Sequence, residues 1–440
     1  MEDHREAYFF WRKLGVLEAS CVHVDAHLDT CEFQLPGTTG IHRPDINCGN
    51  YLLQAMAEGI VQTLVWVVPS HLLQPDPLAW VRQEVPAWLH PSLSEYLSWH
   101  QVGSRVEGQL RGCRFIVCRS DQLPALEGPV LLDIDVDYFL GPGDEVWQSP
   151  LELAGHLGRL SPVALTVAYS IEGGYTPLWL RYLGDLTLLA WQQPEEAARA
   201  AIQLQEGATD APGWVRAARL VARARDNFAD PAYLRAAESE PGYHLSALDA
   251  ACFHLQRKKF DASLSWLVRA GLEDPKAAAY LRAFVHFSQQ DHCGACALWQ
   301  SLLDEFSDDG SGRQGSTRRH LLEMQGRSLA ALGRPEDAVE SFTEAARLSP
   351  REVNLWLELA RAQVAAGQCE AAARSYRRGI SLGPDLMISL QAQLELVQLY
   401  FQLGQPSLAQ AQKQRLLQKR LPPALRLQAF GLGLRAARAR

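Results

Sequence analysis

The sequence predicts an α/β domain with a largely parallel sheet, followed by an all-α array of stacked helical hairpins. Three observations carry this. Short apolar, β-branched runs alternate with helical patterns through the first part of the chain. Carboxylates and imidazoles gather at the ends of two of those runs. The alanine- and leucine-rich second half repeats with a period of 34 residues.

The apolar runs lie at 21–24, 63–68, 114–118, 130–136 and 163–167, with helical patterns at 49–59 and 151–160 between them. A parallel sheet binds its ligands at the carboxyl ends of its strands. The first run leads into Asp25, His27 and Asp29. Alternate residues at a strand tip project to the same side, so these three can share a pocket. Two carboxylates and an imidazole suit a hard or borderline divalent cation such as manganese or zinc. The fourth run ends in Asp133, Asp135 and Asp137. Like charges collected at one place need a cation to hold them there. Asp133 lies deeper in its strand, which favours a supporting role over direct ligation. Further candidates are His4, ahead of a helix-like run at 7–17; His42, after the loop Pro36-Gly37-Thr38-Thr39-Gly40; and Glu172, ahead of Gly173 and Gly174. The plain alternatives are an exposed N-terminal histidine, a loop histidine and a turn carboxylate. His23, inside the first run, reads as a satisfied core histidine.

The bulk composition limits the function classes. The chain has 440 residues, 47% of them hydrophobic, which is enough for two or three cores. A net charge of -8 argues against general nucleic-acid binding. Nine cysteines without framework spacing indicate a reducing compartment. The polar start, Met1 to Glu6, is unlike a signal peptide, and the most apolar window, 64–68, is short and stops at Pro69. The expectation is a soluble cytoplasmic protein that binds neither nucleic acid nor membrane.

The segment Val24-Asp25-Ala26-His27-Leu28-Asp29 resembles the Asp-Ala-His-x-Asp motif of the arginase and agmatinase (ureohydrolase) family. Asp135-Val136-Asp137 looks like the second Asp-x-Asp of that family. The resemblance implies an arginase/deacetylase-like parallel sheet sandwiched by helices over residues 1–185. It implies two manganese ions held by His4, Asp25, His27, Asp29, Asp135 and Asp137. It gives His42 the role of proton shuttle and Glu172 that of guanidinium ligand. Asp29 or Asp137 would be the natural bridging or bidentate ligand. The second motif continues as Tyr138-Phe139-Leu140 where arginases have Gly-Leu-Asp-Pro, and the domain is shorter than an arginase for free arginine. Glu2-Asp3-His4 and the Asp-x-Asp-x-Asp-Tyr-Phe run look closer to a compact branch of the family. Some members of that branch convert arginine side chains of ribosomally made peptides to ornithine, releasing urea. The chemistry implied is manganese-dependent hydrolysis of a guanidinium group. Two other readings stand beside it: a non-catalytic protein–protein scaffold with a degenerate arginase-like domain, and a deacetylase-like zinc amide hydrolase.

Residues 186–244 read as a helical connector and 245–440 as a repeat domain with a basic tail. Gly333 and Gly367, Ala338 and Ala372, Phe342 and Tyr376, and Pro350 and Pro384 stand one period apart. Period and residue types resemble the tetratricopeptide repeat, in about five units from 245 to 420. Stacked hairpins of that kind hold extended peptides or helices, so the expected partner is a peptide or protein substrate. A polar segment at 307–316 reads as a loop. After Glu395 the chain has no acidic residue, and Lys413, Arg415, Lys419, Arg420, Arg426, Arg435, Arg438 and Arg440 read as a solvated basic tail. Cys293 and Cys296 sit where the repeat wants small residues at a helix contact.

Overall fold

Among the described residues, seven segments of the computed structural model are extended: β1 Ala19–Val24, β2 Val61–Val67, β3 His100–Val102, β4 Arg105–Leu110, β5 Cys113–Cys118, β6 Val130–Asp135 and β7 Ala164–Ala168. The structure describes residues 1–31, 46–73, 75–206, 211–225, 227–228, 231–305 and 312–432. The strands form one sheet in the order β3-β4-β5-β2-β1-β6-β7. β1 pairs in parallel with β2 and β6, β2 with β5, and β6 with β7. β1 and β6 are buried along their whole length. That is why they read as unbroken apolar runs rather than alternating ones.

The sheet carries two strands that the apolar pattern does not reveal. β3 and β4 form an antiparallel hairpin on the edge next to β5. β3 is exposed throughout, so it carries no apolar signal. Its turn holds Gly103 at φ 62°, the left-handed region a tight hairpin needs.

Helices cover both faces. Val22, Val24, Leu132, Ile134 and Val167 pack against Leu153 and Leu157 of the helix Pro150–Leu157 and Leu183 of the helix Tyr182–Gln192. Ser149 starts the first of these by accepting from the Glu152 N–H at 3.2 Å. His23 and Asp133 alternate with those strand residues and meet Tyr51 of the helix Tyr51–Ala57. The helix Glu6–Leu14 lies beside it, with Trp11 against Tyr51.

The chain divides into two units. The first holds the described residues of Met1–Thr39, Asp45–Leu89 and Trp99–Ala278; the second holds His90–Ser98 and those of Ala279–Arg440. The divisions read from sequence, at 185/186 and 244/245, both fall inside the first unit. Five helix pairs follow from residue 247: Ala247–Gln256 with Phe260–Glu273, Pro275–Ser288 with His292–Glu305, Gly312–Ala331 with Pro335–Leu348, Val353–Ala365 with Cys369–Leu382, and Met387–Gln402 with Pro406–Leu417. Gly333, Gly367 and Gly404, at φ 68°, 73° and 66°, stand in the turns of the last three pairs, a conformation costly for other residues. Ala338, Ala372 and Ala409 are fully buried where paired helices touch. The polar segment at 307–316 departs from expectation in part: its end belongs to the helix beginning at Gly312. In the second unit Leu93 packs on Leu390, Leu394 and Leu416, and its N–H donates to the Asp385 carbonyl at 2.6 Å.

Candidate metal centre

The register between β1 and β6 builds this site. Val24 lies opposite Ile134, so Asp25 and Asp135 emerge side by side at the carboxyl ends of adjacent parallel strands. Each then forms the same local turn. Asp25 Oδ1 accepts from the His27 N–H at 2.6 Å, and Asp135 Oδ1 accepts from the Asp137 N–H at 3.1 Å. Asp29 follows at φ 50°, a strained value for a residue with a side chain. The N-terminal segment completes the group. The Met1 ammonium donates to the Val167 carbonyl and the Tyr169 N–H to the Met1 carbonyl, tying residues 1–4 across the end of β7.

His4 Nδ1 stands 3.1 Å from Asp29 Oδ2, 3.2 Å from Asp135 Oδ2 and 3.5 Å from Asp25 Oδ2. On the other side, His27 Nδ1 lies 2.9 Å from Asp137 Oδ2 and 3.5 Å from Asp25 Oδ1. Asp25 therefore presents one oxygen to each histidine, and the position between the two groups is its own rather than that of Asp29 or Asp137. His4, Asp25 and Asp135 form one set of groups that could hold a metal ion, and Asp25, His27 and Asp137 another.

The electrostatics favour a cation. Burial, then the neighbouring Asp137, Asp29 and Asp135 carboxylates, push the Asp25 carboxyl well above its ordinary range. Burial and Asp137 likewise raise Asp135. Burial works against Asp137 too, but His27 beside it turns the net shift downward. His4 Nδ1 and Asp25 Oδ2 are buried and make no hydrogen bond of regular geometry, although carboxylate oxygens surround the first and His23 Nε2 lies 3.3 Å from the second. Two orphaned ligand atoms, facing each other among carboxylates, suit a hard divalent ion as a shared partner.

Behind this layer lies a buried network that sequence reading found only in part. Asp133 Oδ2 accepts from His4 Nε2 at 3.0 Å and from Tyr51 Oη at 2.6 Å, and it lies 3.1 Å from His23 Nδ1. Thr166 Oγ1 donates to Asp133 Oδ1. Burial opposes ionisation of Asp133, but His4 and His23 hold its carboxyl well below the usual range. Asp133 thus takes His4 Nε2 and leaves Nδ1 free for the carboxylate side. His23 also reaches the His27 carbonyl at 3.1 Å, a satisfied core histidine. Tyr51 and Thr166 carry no sequence signal, because helix packing and the β6–β7 register bring them here. Ser170, which donates to Asp135 Oδ2 at 2.5 Å, and Tyr175, whose ring centroid is 5.3 Å from that of His27, also escape the motifs. Their glycine-rich loop was the only cue.

One described residue that the sequence offered lies outside these groups. Glu172 is exposed as a residue but its carboxyl is partly covered, and that covering, with the Asp249, Glu2, Asp3 and Glu6 charges, raises its pKa. His42 lies outside the described residues.

The tetratricopeptide-repeat family model matches residues 329–394. No curated protein matches the chain. Among solved structures the chain is similar to the C-terminal part of a TPR repeat-containing protein from Cytophaga hutchinsonii, at 13% identity over 55% of this chain and 96% of that one, with a TM-score of 0.39. It is also similar to YrrB, described as a TPR protein with an unusual peptide-binding site, at 15% identity over 46% of this chain and 98% of that one, with a TM-score of 0.36.

Proposed function

We propose that the protein hydrolyses arginine side chains of a peptide or protein to ornithine and urea, using two manganese ions, and that its repeats bind the polypeptide carrying those arginines. The observation that carries this reading is the orphaned pair His4 Nδ1 and Asp25 Oδ2 within two adjoining His/Asp groups. His4, Asp25, Asp29 and Asp135 would hold one ion; Asp25, His27 and Asp137 the other. Bound divalent ions lower the pKa of a water molecule and so supply a nucleophile near neutral pH.

The chain's own residues provide the rest. Asp133 fixes the His4 ring with Nδ1 toward the carboxylates. Ser170 orients Asp135. Glu172, among four acidic neighbours, offers a carboxylate that a guanidinium relieves of repulsion and engages through two parallel hydrogen bonds. His42 is assigned the proton handed to the leaving amine. Repeats that grip the same polypeptide raise the local concentration of its arginines.

The test is mass spectrometry of arginine-containing peptides incubated with manganese-loaded protein, coupled to a urea assay. Conversion to ornithine with matching urea is expected, and Asp135→Ala should abolish both. Wild-type product levels from Asp135→Ala would overturn the site assignment. Loss of an acyl group without urea would point to amide hydrolysis instead.

A further inference from the structure

Exposure across the cluster is uneven. The side chains of His4 and Asp25 are 1% exposed, and Asp135, Asp137 and Asp29 are between 6% and 10%. His27 is 40% exposed. Tyr175 packs against it, with ring centroids 5.3 Å apart and an interplanar angle of 70°.

Tyr175 sits on a loop tied to a neighbouring helix. Ser170, Gly173 and Gly174 all have positive φ, at 50°, 91° and 80°. Within the loop, the Gly174 N–H donates to the Ile171 carbonyl and the Thr176 N–H to the Ser170 carbonyl, each at 3.0 Å. The remaining restraint comes from the helix Ala247–Gln256 and the arginine after it. The Asp249 carboxylate accepts from the Gly173 N–H. Arg257 Nη1 donates to the Gly174 carbonyl at 2.7 Å, while its Nε and Nη2 grip Asp144 at 3.0 and 2.8 Å. A Cβ added at Gly174 would stand 2.3 Å from the Phe253 backbone, so loop and helix are in direct backbone contact.

We propose that Tyr175 is a substrate-positioning residue, its ring forming a wall for a planar cationic side chain beside His27, and that Asp249, Arg257 and Gly174 hold it there. This rests on the arginine-directed reading above. An aromatic face attracts a guanidinium and stacks on it, orienting the group without supplying a proton. Arg257 acts through the loop and touches no substrate. The planar cation is the ligand class, which favours arginine over lysine side chains.

The test uses the full-length, manganese-loaded protein and a short capped peptide containing one arginine. Metal content by elemental analysis, thermal melting, KM and kcat are measured for Tyr175→Phe, Tyr175→Leu, Arg257→Lys and Arg257→Gln. Metal content should be unchanged in all four. Tyr175→Leu and Arg257→Gln should raise KM roughly three- to thirtyfold, the range expected for a lost cation–π contact, with a smaller change in kcat. Tyr175→Phe should behave as wild type, because the ring is kept, and Arg257→Lys should fall between. Unchanged KM in Tyr175→Leu, with the wild type active, overturns this inference and leaves the hydrolase reading standing. Loss of metal in Arg257→Gln overturns it as well, since the clamp would then serve the metal groups. A wild type that binds two ions but releases no urea removes the hydrolase reading and this inference together.

Discussion

As a metal ligand His4 would need a lone pair on Nδ1, and Asp133, by engaging Nε2, would leave that atom for it. The carboxylate also receives Tyr51 and Thr166, so three donors meet one anion inside the protein. Asp133→Asn puts an amide where an acceptor is needed. Manganese affinity should fall by roughly 10- to 100-fold, as for other second-layer carboxylates; isothermal titration calorimetry checks this, and an unchanged affinity rejects the role. In the repeats, His320 is a buried residue of a different kind. Burial, then Arg319 and Arg327, lower its pKa to about 3, and Tyr280 Oη lies 3.1 Å from its Nε2. It stays neutral when folded but takes a proton near pH 6.5 when unfolded. The unfolded state therefore binds more protons between those values, and stability falls as pH drops through that window, by at most about 1.4 kcal/mol per pH unit. Melting curves from pH 7 to pH 4 should show a shallower decline for His320→Gln than for wild type. Asp25, His27 and Asp29 were legible in the sequence because they follow a buried apolar run at alternate positions, although a turn at Asp25, not strand alternation, brings them together. Tyr51 and Tyr175 were not, since each reaches the cluster through packing between elements distant in the chain.

Strand register matters more than any single ligand. One residue of slip between β1 and β6 would separate Asp25 from Asp135 and turn His23 and Asp133 to the opposite face. The apolar runs made five of the strands legible, because buried parallel strands need apolar side chains on both faces. β3 was hidden because an exposed edge strand tolerates polar residues, and β4 because Val106 and Leu110 alone among its residues are buried. The helix pairs were legible through their spacing: a small residue must recur wherever two helices touch. Ala372 shows the constraint, with no exposed surface and Tyr376 one turn away on the same helix. Ala372→Leu should cost about 1–3 kcal/mol by overpacking. Thermal or urea unfolding would measure this, and a variant as stable as wild type would show that the helices separate freely at this point.

At the scale of the molecule, the sheet unit collects repelling carboxylates that a cation would neutralise, so ion binding would be linked to folding. Chelation of a manganese-loaded sample should lower the melting temperature of that unit and leave the repeat transition in place. Scanning calorimetry with and without chelator decides it; a single transition that ignores chelation argues against tight ion binding. No helix among the described residues is long and apolar enough to cross a membrane. The segment His90–Ser98 has a temporal consequence. Leu93 leaves the ribosome long before Asp385 and Leu390 are made, so the second unit cannot close until translation is almost finished. Until then an early-made leucine waits without its pocket, and a truncated or stalled chain would display it to chaperones.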